Sequence, residues 1–185
     1  MNFKPIPNKF EYLNWQEIES IAKEKRSTLI WPFGAVEQHG PHLPLATDSI
    51  FVDEIISEVF KLLPADIPLK KLPTQYIGFS PEHKGFAGTI SLSSNLITSM
   101  IKEVGGQLSE MGFKRLILIN GHGGQISLLN TAARELRSFA PGMAVFPCFL
   151  WSGVNGLSDL LTKTEIENGL HASLAETSLM LALKP

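Results

Sequence analysis

Cysteine is almost absent: Cys148 stands alone, which excludes a disulfide framework and makes a reducing, cytoplasmic setting the expectation. Between Pro147 and Phe149 it reads as a packed apolar residue, not a nucleophile. Charge of either sign is in short supply. The net charge of −2 leaves no electrostatic footprint for nucleic acid or an anionic membrane surface. No apolar run is long enough to span a bilayer, and the opening Met-Asn-Phe-Lys-Pro-Ile-Pro lacks the apolar core of a signal peptide. Internal repeats, low-complexity tracts and linkers are also missing. What is present, 185 residues at 44% hydrophobic and 18% charged, suffices for the core of one globular domain over residues 1–185.

Apolar runs alternate with helix-period stretches. Residues 27–33, 69–72, 115–120 and 143–151 read as strands, with 115–120 apolar on both faces and 143–151 buried. Helices are expected over 15–25, 49–63, 95–111, 125–139 and 176–183. In the third of these, Leu96, Met100, Val104, Leu108 and Met111 form one stripe, Gly112 is the stop, and Gly105-Gly106 marks close packing. The alternation implies a layered α/β fold.

The densest chemistry lies in Glu37-Gln-His-Gly-Pro-His-Leu-Pro-Leu-Ala-Thr-Asp48. It gathers Glu37, His39, His42 and Asp48 on a backbone stiffened by Pro41 and Pro44, the donor types of a divalent-metal site. Against this, Thr47 or Asp48 can simply cap the following helix. A second element is Gly121-His122-Gly123-Gly124, directly after the 115–120 strand. It has neither a Walker lysine nor G-x-G-x-x-G, so a metal-ligating His122 is favoured over a phosphate cradle. Ligands of open α/β sheets bind beyond the carboxyl ends of strands, and both elements follow strands. Two further segments are Gly78-Phe-Ser-Pro-Glu-His83 with Gly85-Phe-Ala-Gly-Thr89, a surface loop or an active-site lining, and His171 to Thr177, a site or a capped helix start.

Together these segments resemble the creatininase (creatinine amidohydrolase) family. The resemblance implies a three-layer α/β/α sandwich with a mostly parallel sheet, usually a homohexamer. It also implies two divalent ions per chain, Zn2+ or Mn2+, with Fe2+ or Mg2+ as options. Position by position, Glu37, His39, Asp48 and His122 match metal ligands, Asp48 bridging, while His171 matches a residue assisting proton transfer and Glu176 the acid of the Glu-Thr-Ser segment. Substrate contacts are expected from Ser80, His83, Gly121 and Trp151, the last with a core position as its alternative. One departure is Gly124, where creatininase carries a glutamate; Glu176 is the expected replacement ligand and a catalytic group alongside His171. Another is Phe86-Ala-Gly-Thr89 in place of Phe-Pro-Gly-Thr. Relatives continue beyond the position of Pro185, so a C-terminal segment is expected to be lacking. The implied activity is hydrolysis of a small cyclic or linear amide by metal-activated water. A deformylase- or peptidase-like member and a non-catalytic metal-binding subunit are the alternatives.

Overall fold

The computed structural model describes residues 8–64 and 66–185. Residues 1–7, read above for a signal-peptide core, lie outside the described residues. Strands β1 (Thr28–Phe33), β2 (Leu69–Lys71), β3 (Arg115–Asn120) and β4 (Ala144–Phe149) form a parallel sheet in the order β2-β1-β3-β4. β1 and β3 are paired along their whole length, Phe33 opposite Asn120, so their carboxyl ends finish level.

Successive strand residues point to opposite faces, and these strands are apolar on both. Leu29, Trp31, Leu116 and Leu118 face α1 (Trp15–Ala22), α3 (Ser94–Glu110) and α4 (Ile126–Phe139). Ile30, Ile117 and Ile119 belong to the core under α2 (Thr47–Leu62). The result is the expected three-layer α/β/α arrangement. The helices α5 (Leu157–Leu160), α6 (Lys163–Asn168) and α7 (Leu174–Leu183) follow β4. Among the described residues no helix is long and apolar enough to cross a membrane.

Three expectations are corrected. The buried face of α3 is Ile97, Ile101, Gly105 and Leu108, whereas Leu96 and Met111 are about half exposed, at 53% and 50%. The glycines turn the helix: a Cβ at Gly105 would lie 2.3 Å from Leu136 Cδ2, so α4 approaches on that side. β4 is an edge strand, not a buried one; Val145 packs inward while Phe146 and Cys148 are exposed. Cys148 is therefore not packed into the core. The third concerns α2, whose N-cap is Ala46 with no side-chain cap, so neither Thr47 nor Asp48 caps it.

Strand order sets the position of the site. From β1 the chain moves to β2 on one side, and from β3 to β4 on the other. The crevice beyond β1 and β3 is a topological switch point, where open α/β sheets bind ligands.

Candidate metal centre

At that crevice the β1 end turns into residues 34–37 and packs against the first turn of α2. The close approach requires Gly34, since a Cβ there would fall 2.1 Å from Ser49 Oγ and 2.5 Å from its Cα. It delivers Glu37, fully buried, beside Asp48 in the first turn of α2. β3 delivers His122 through Asn120, whose Oδ1 accepts from His122 N at 3.0 Å and whose Nδ2 donates to His122 O at 2.8 Å. His122 Nδ1 then lies 3.1 Å from Glu37 Oε1 and 3.2 Å from Asp48 Oδ2. On the other side of Asp48, Oδ1 is 3.4 Å from His39 Nε2.

Three histidines are held in the same way. His39 Nδ1 is 3.2 Å from the Glu37 carbonyl, His122 Nε2 is 3.0 Å from the Phe79 carbonyl, and His171 Nε2 is 2.6 Å from the Gln38 carbonyl. A carbonyl only accepts, so each of these nitrogens carries the proton, and the other nitrogen has a free lone pair. Those lone pairs point into a cluster of carboxylates. Glu37 Oε1 and Oε2, His39 Nε2 and Asp48 Oδ2 are buried without a hydrogen-bond partner. Buried polar atoms are otherwise satisfied almost without exception, so four orphans in one place call for a cation. Donors bound to one first-row ion lie roughly 3.0–3.4 Å apart, the spacing found around His122. The residues therefore fit a divalent metal.

The electrostatics agree. Burial disfavours charge on His122, but the carboxylates of Asp48 and Glu37 outweigh it and push its pKa up to about 10. His39 is raised likewise, its burial being overcome by Asp48. Asp48 is held below the usual carboxylate range because the two imidazoles outweigh its burial. The cluster draws positive charge, whether as proton or as metal ion.

Around this centre the other expected residues take different positions. Glu176 offers a carboxylate oxygen within 4.8 Å of donors from His39 and His171, and it also accepts from Ser173 N at 3.2 Å in a capping box that starts α7. His171 stacks on His83 with centroids 4.3 Å apart and is followed by Ala172, whose φ of 49° is a left-handed strain of about 1 kcal/mol. His83, Gly121 and Trp151 line the adjoining cavity of about 510 Å³. Ser80 does not: it is fully buried behind His122, with Oγ 3.4 Å from Nε2, so it supports the imidazole instead of meeting substrate. His42 is exposed and bonds Thr177 at 2.8 Å, outside the cluster.

Sequence reasoning assigned no role to Gln38, Gln125 or Glu82. Gln38 Nε2 donates to His83 Nδ1 at 2.9 Å while its carbonyl holds His171. Gln125, fully buried, donates to Gly34 O and Asn120 Oδ1, both at 3.0 Å, and accepts from Phe79 N at 3.1 Å, joining three loops. Glu82 Oε1 lies 3.1 Å from His122 Nε2. Only its place beside His83 in the glycine-rich connection hinted at a role.

Comparison with known proteins gives a consistent picture. The family profile described as "Creatininase: Creatinine amidohydrolase" matches residues 11–185. A "mycofactocin precursor peptide peptidase" of Mycobacterium tuberculosis is 33% identical over 164 residues, covering 85% of this chain and 59% of that protein. A creatinine amidohydrolase of Pseudomonas putida is 29% identical, covering 94% of this chain and 70% of that one. The solved structure titled "Creatininase Mn" superposes with a TM-score of 0.78 at 27% identity, over 95% of this chain and 72% of that one. A mutant creatininase of "Zn-Zn type" matches equally well, with a TM-score of 0.78. The chain thus spans about three-fifths of the length of its mycobacterial relatives.

Proposed function

Because the chain belongs to the creatininase family, we propose that it is a metal-dependent hydrolase of carbon–nitrogen bonds in a neutral amide. The observation carrying this reading is the set of four unpartnered buried donors at the switch point, faced by imidazole lone pairs. Glu37, Asp48 and His122 would hold one divalent ion. His39 and Glu176 would hold a second, with Asp48 shared between them. The donor set of oxygens and imidazoles suits Zn2+ or Mn2+, the ions named for two creatininase structures. Such ions supply Lewis-acid polarisation of a carbonyl and a lowered pKa for water.

The remaining chemistry falls to the chain's own side chains. His171 Nε2–H is committed to the Gln38 carbonyl, which leaves Nδ1 free to take a proton from the attacking water and pass it to the leaving nitrogen. His83 Nδ1 accepts from Gln38, so its Nε2–H is available to the amide oxygen. Phe149, Trp151, Leu157 and Leu161 form an apolar wall that excludes water from this side. Among the described residues no lysine or arginine lines the cavity, while Glu82 and Glu165, neither of them assigned to an ion, do, which favours a neutral or cationic substrate. The apolar wall and the volume of about 510 Å³ favour an amide with an apolar substituent, such as a short peptide, over a small cyclic amide like creatinine. A homo-oligomer belongs to the same reading, supported by exposed Leu170, Leu174 and Leu181 near the chain end. So does a cytoplasmic setting, supported by the lone cysteine.

The test is turnover by zinc- or manganese-loaded protein of creatinine, formamides, lactams and apolar dipeptides. Hydrolysis that disappears on chelation and in His171→Ala is expected, with the dipeptides preferred. Metal-loaded protein that binds ions yet turns over nothing would favour the non-catalytic metal-binding subunit.

A further inference from the structure

We propose that Glu82 is the positioning carboxylate of His122, and that Gly124 is glycine because Glu82 occupies the space a side chain there would need. The inference rests on the metal-centre reading above. His122 presents Nδ1 to Glu37 and Asp48, so its orientation depends on what holds Nε2. Nε2 donates to the Phe79 carbonyl at 3.0 Å, with Ser80 Oγ at 3.4 Å, and the Glu82 carboxylate faces the same nitrogen as an ion-pair partner, Oε1 at 3.1 Å. A carboxylate on the far nitrogen of a ligating histidine fixes ring and tautomer, and it raises the basicity of the ligating nitrogen.

Glu82 is brought there by a rigid segment. It sits in the 3-10 turn Pro81–His83, and Pro81 fixes the first position of that turn. Ser80 N donates to Ser91 Oγ at 2.8 Å, and Phe79 N donates to the buried Gln125 at 3.1 Å. The same strap therefore brings the Phe79 carbonyl, the Ser80 hydroxyl and the Glu82 carboxylate to His122 Nε2.

Gly124 supplies the room. A Cβ there would lie 1.7 Å from Glu82 Oε1 and 2.5 Å from His122 Nε2. Gly124 is not among the glycines with left-handed φ, so its backbone conformation does not demand glycine. The demand is for space. This chain has no side chain at Gly124, and a carboxylate from a different loop occupies the volume that one would need. Glu82 thus fills the space beside Gly124 and lies against the outer nitrogen of His122.

The experiment is competition titration of Zn2+ and Co2+ into metal-free wild type, Glu82→Gln, Glu82→Ala, Gly124→Ala and the Glu82→Ala/Gly124→Ala double variant. Thermal unfolding of the metal-free proteins checks the fold, and the Co2+ visible spectrum reports ligand geometry. Glu82→Ala is expected to keep the wild-type number of ions but bind the His122 ion about 10–100-fold more weakly, with an altered Co2+ spectrum. Glu82→Gln, whose amide oxygen still accepts, should recover most of that loss. Gly124→Ala should resemble Glu82→Ala, and the double variant should be no worse than either alone. Wild-type affinity and spectrum in Glu82→Ala would overturn the proposal. So would loss of one whole ion, which would make Glu82 a direct ligand. A wild-type protein that takes up no ion would overturn the metal-centre reading and this inference with it.

Discussion

Gly121 is the point at which packing and the metal centre meet, and Gly121→Ala tests that junction. The added methyl would lie 2.6 Å from the Asp48 carbonyl oxygen and 3.0 Å from Val52 Cγ1. Neither obstacle yields easily. The carbonyl belongs to the backbone of α2, and Val52 is fully buried in the core beneath that helix. Gly121 N is itself bonded to Phe33 O at 2.8 Å, which ties it to the end of β1. Comfortable non-bonded contact needs roughly 3.5 Å, so α2 and the β3 end must separate by about 0.5–1 Å. Overpacking of this kind costs about 1–3 kcal/mol, or about 2–12 °C in Tm at roughly 2–4 °C per kcal/mol for a chain of this size. The separation also moves Asp48 from His122, whose donors need to be held within about 0.5 Å. Metal affinity should therefore fall at least about tenfold, equivalent to about 1.4 kcal/mol. Calorimetry of the metal-free protein and a zinc competition titration read the two effects separately. Gly123→Ala is the control, because a Cβ there meets nothing within 4 Å. If Gly121→Ala matches Gly123→Ala in both Tm and zinc affinity, the coupling between helix packing and ligand placement is refuted.

Asp53 anchors the chain after β2 to α2, accepting from Lys71 Nζ at 2.9 Å, Tyr76 Oη at 2.6 Å and Thr74 Oγ1. Burial raises its pKa, but these three donors outweigh it and hold the carboxyl below its ordinary range. A depressed folded-state pKa gives stability that is present above the unfolded value of about 3.9 and is lost as pH falls through the folded value. Asp53→Ala should therefore lose about 1–3 kcal/mol at pH 7, and the gap to wild type should close in thermal melts below about pH 4; a gap that stays constant down to pH 3 would contradict this. Leu136→Ala should cost about 2–5 kcal/mol in denaturant unfolding, since Leu136 is fully buried against the Gly105 gap. Combined with Gly105→Ala it should cost less than the sum of the two, because the new methyl enters the space the leucine leaves; strict additivity would argue against that contact.

The sheet was legible in the sequence where pattern and burial coincide. Arg115–Asn120 is a strand with the expected bounds because an apolar run feeding a Gly-His turn has few other folds. The convergence of Glu37, Asp48 and His122 was legible for a similar reason, as both segments leave adjacent parallel strands. The face of α3 was not. Apolar residues cover a wide arc of that helix, and its contact surface is set by two glycines whose partners, Leu136 and Phe139, lie on another helix. β4 looked buried because its residues are apolar on both sides, yet it ends the sheet and leaves Phe146 and Cys148 exposed. Gln125 and Glu82 were invisible for a physical reason: each acts through contacts across more than one loop, and no local spacing encodes them. Ser80 was misplaced because a loop serine near a histidine reads alike whether it faces the cavity or lies behind the ring.

The central claim is that the unpartnered atoms of Glu37, His39 and Asp48 are metal donors. The most direct measurement is an anomalous difference map from crystals of the manganese- or zinc-loaded protein. Two peaks are expected, one on each side of the Asp48 carboxylate. The first should lie about 2.0–2.3 Å from Glu37, Asp48 and His122 Nδ1, and the second at similar distances from Asp48 and His39 Nε2. A map without a peak at Asp48, with Glu37 and His39 bonded only to water or to one another, would contradict the claim.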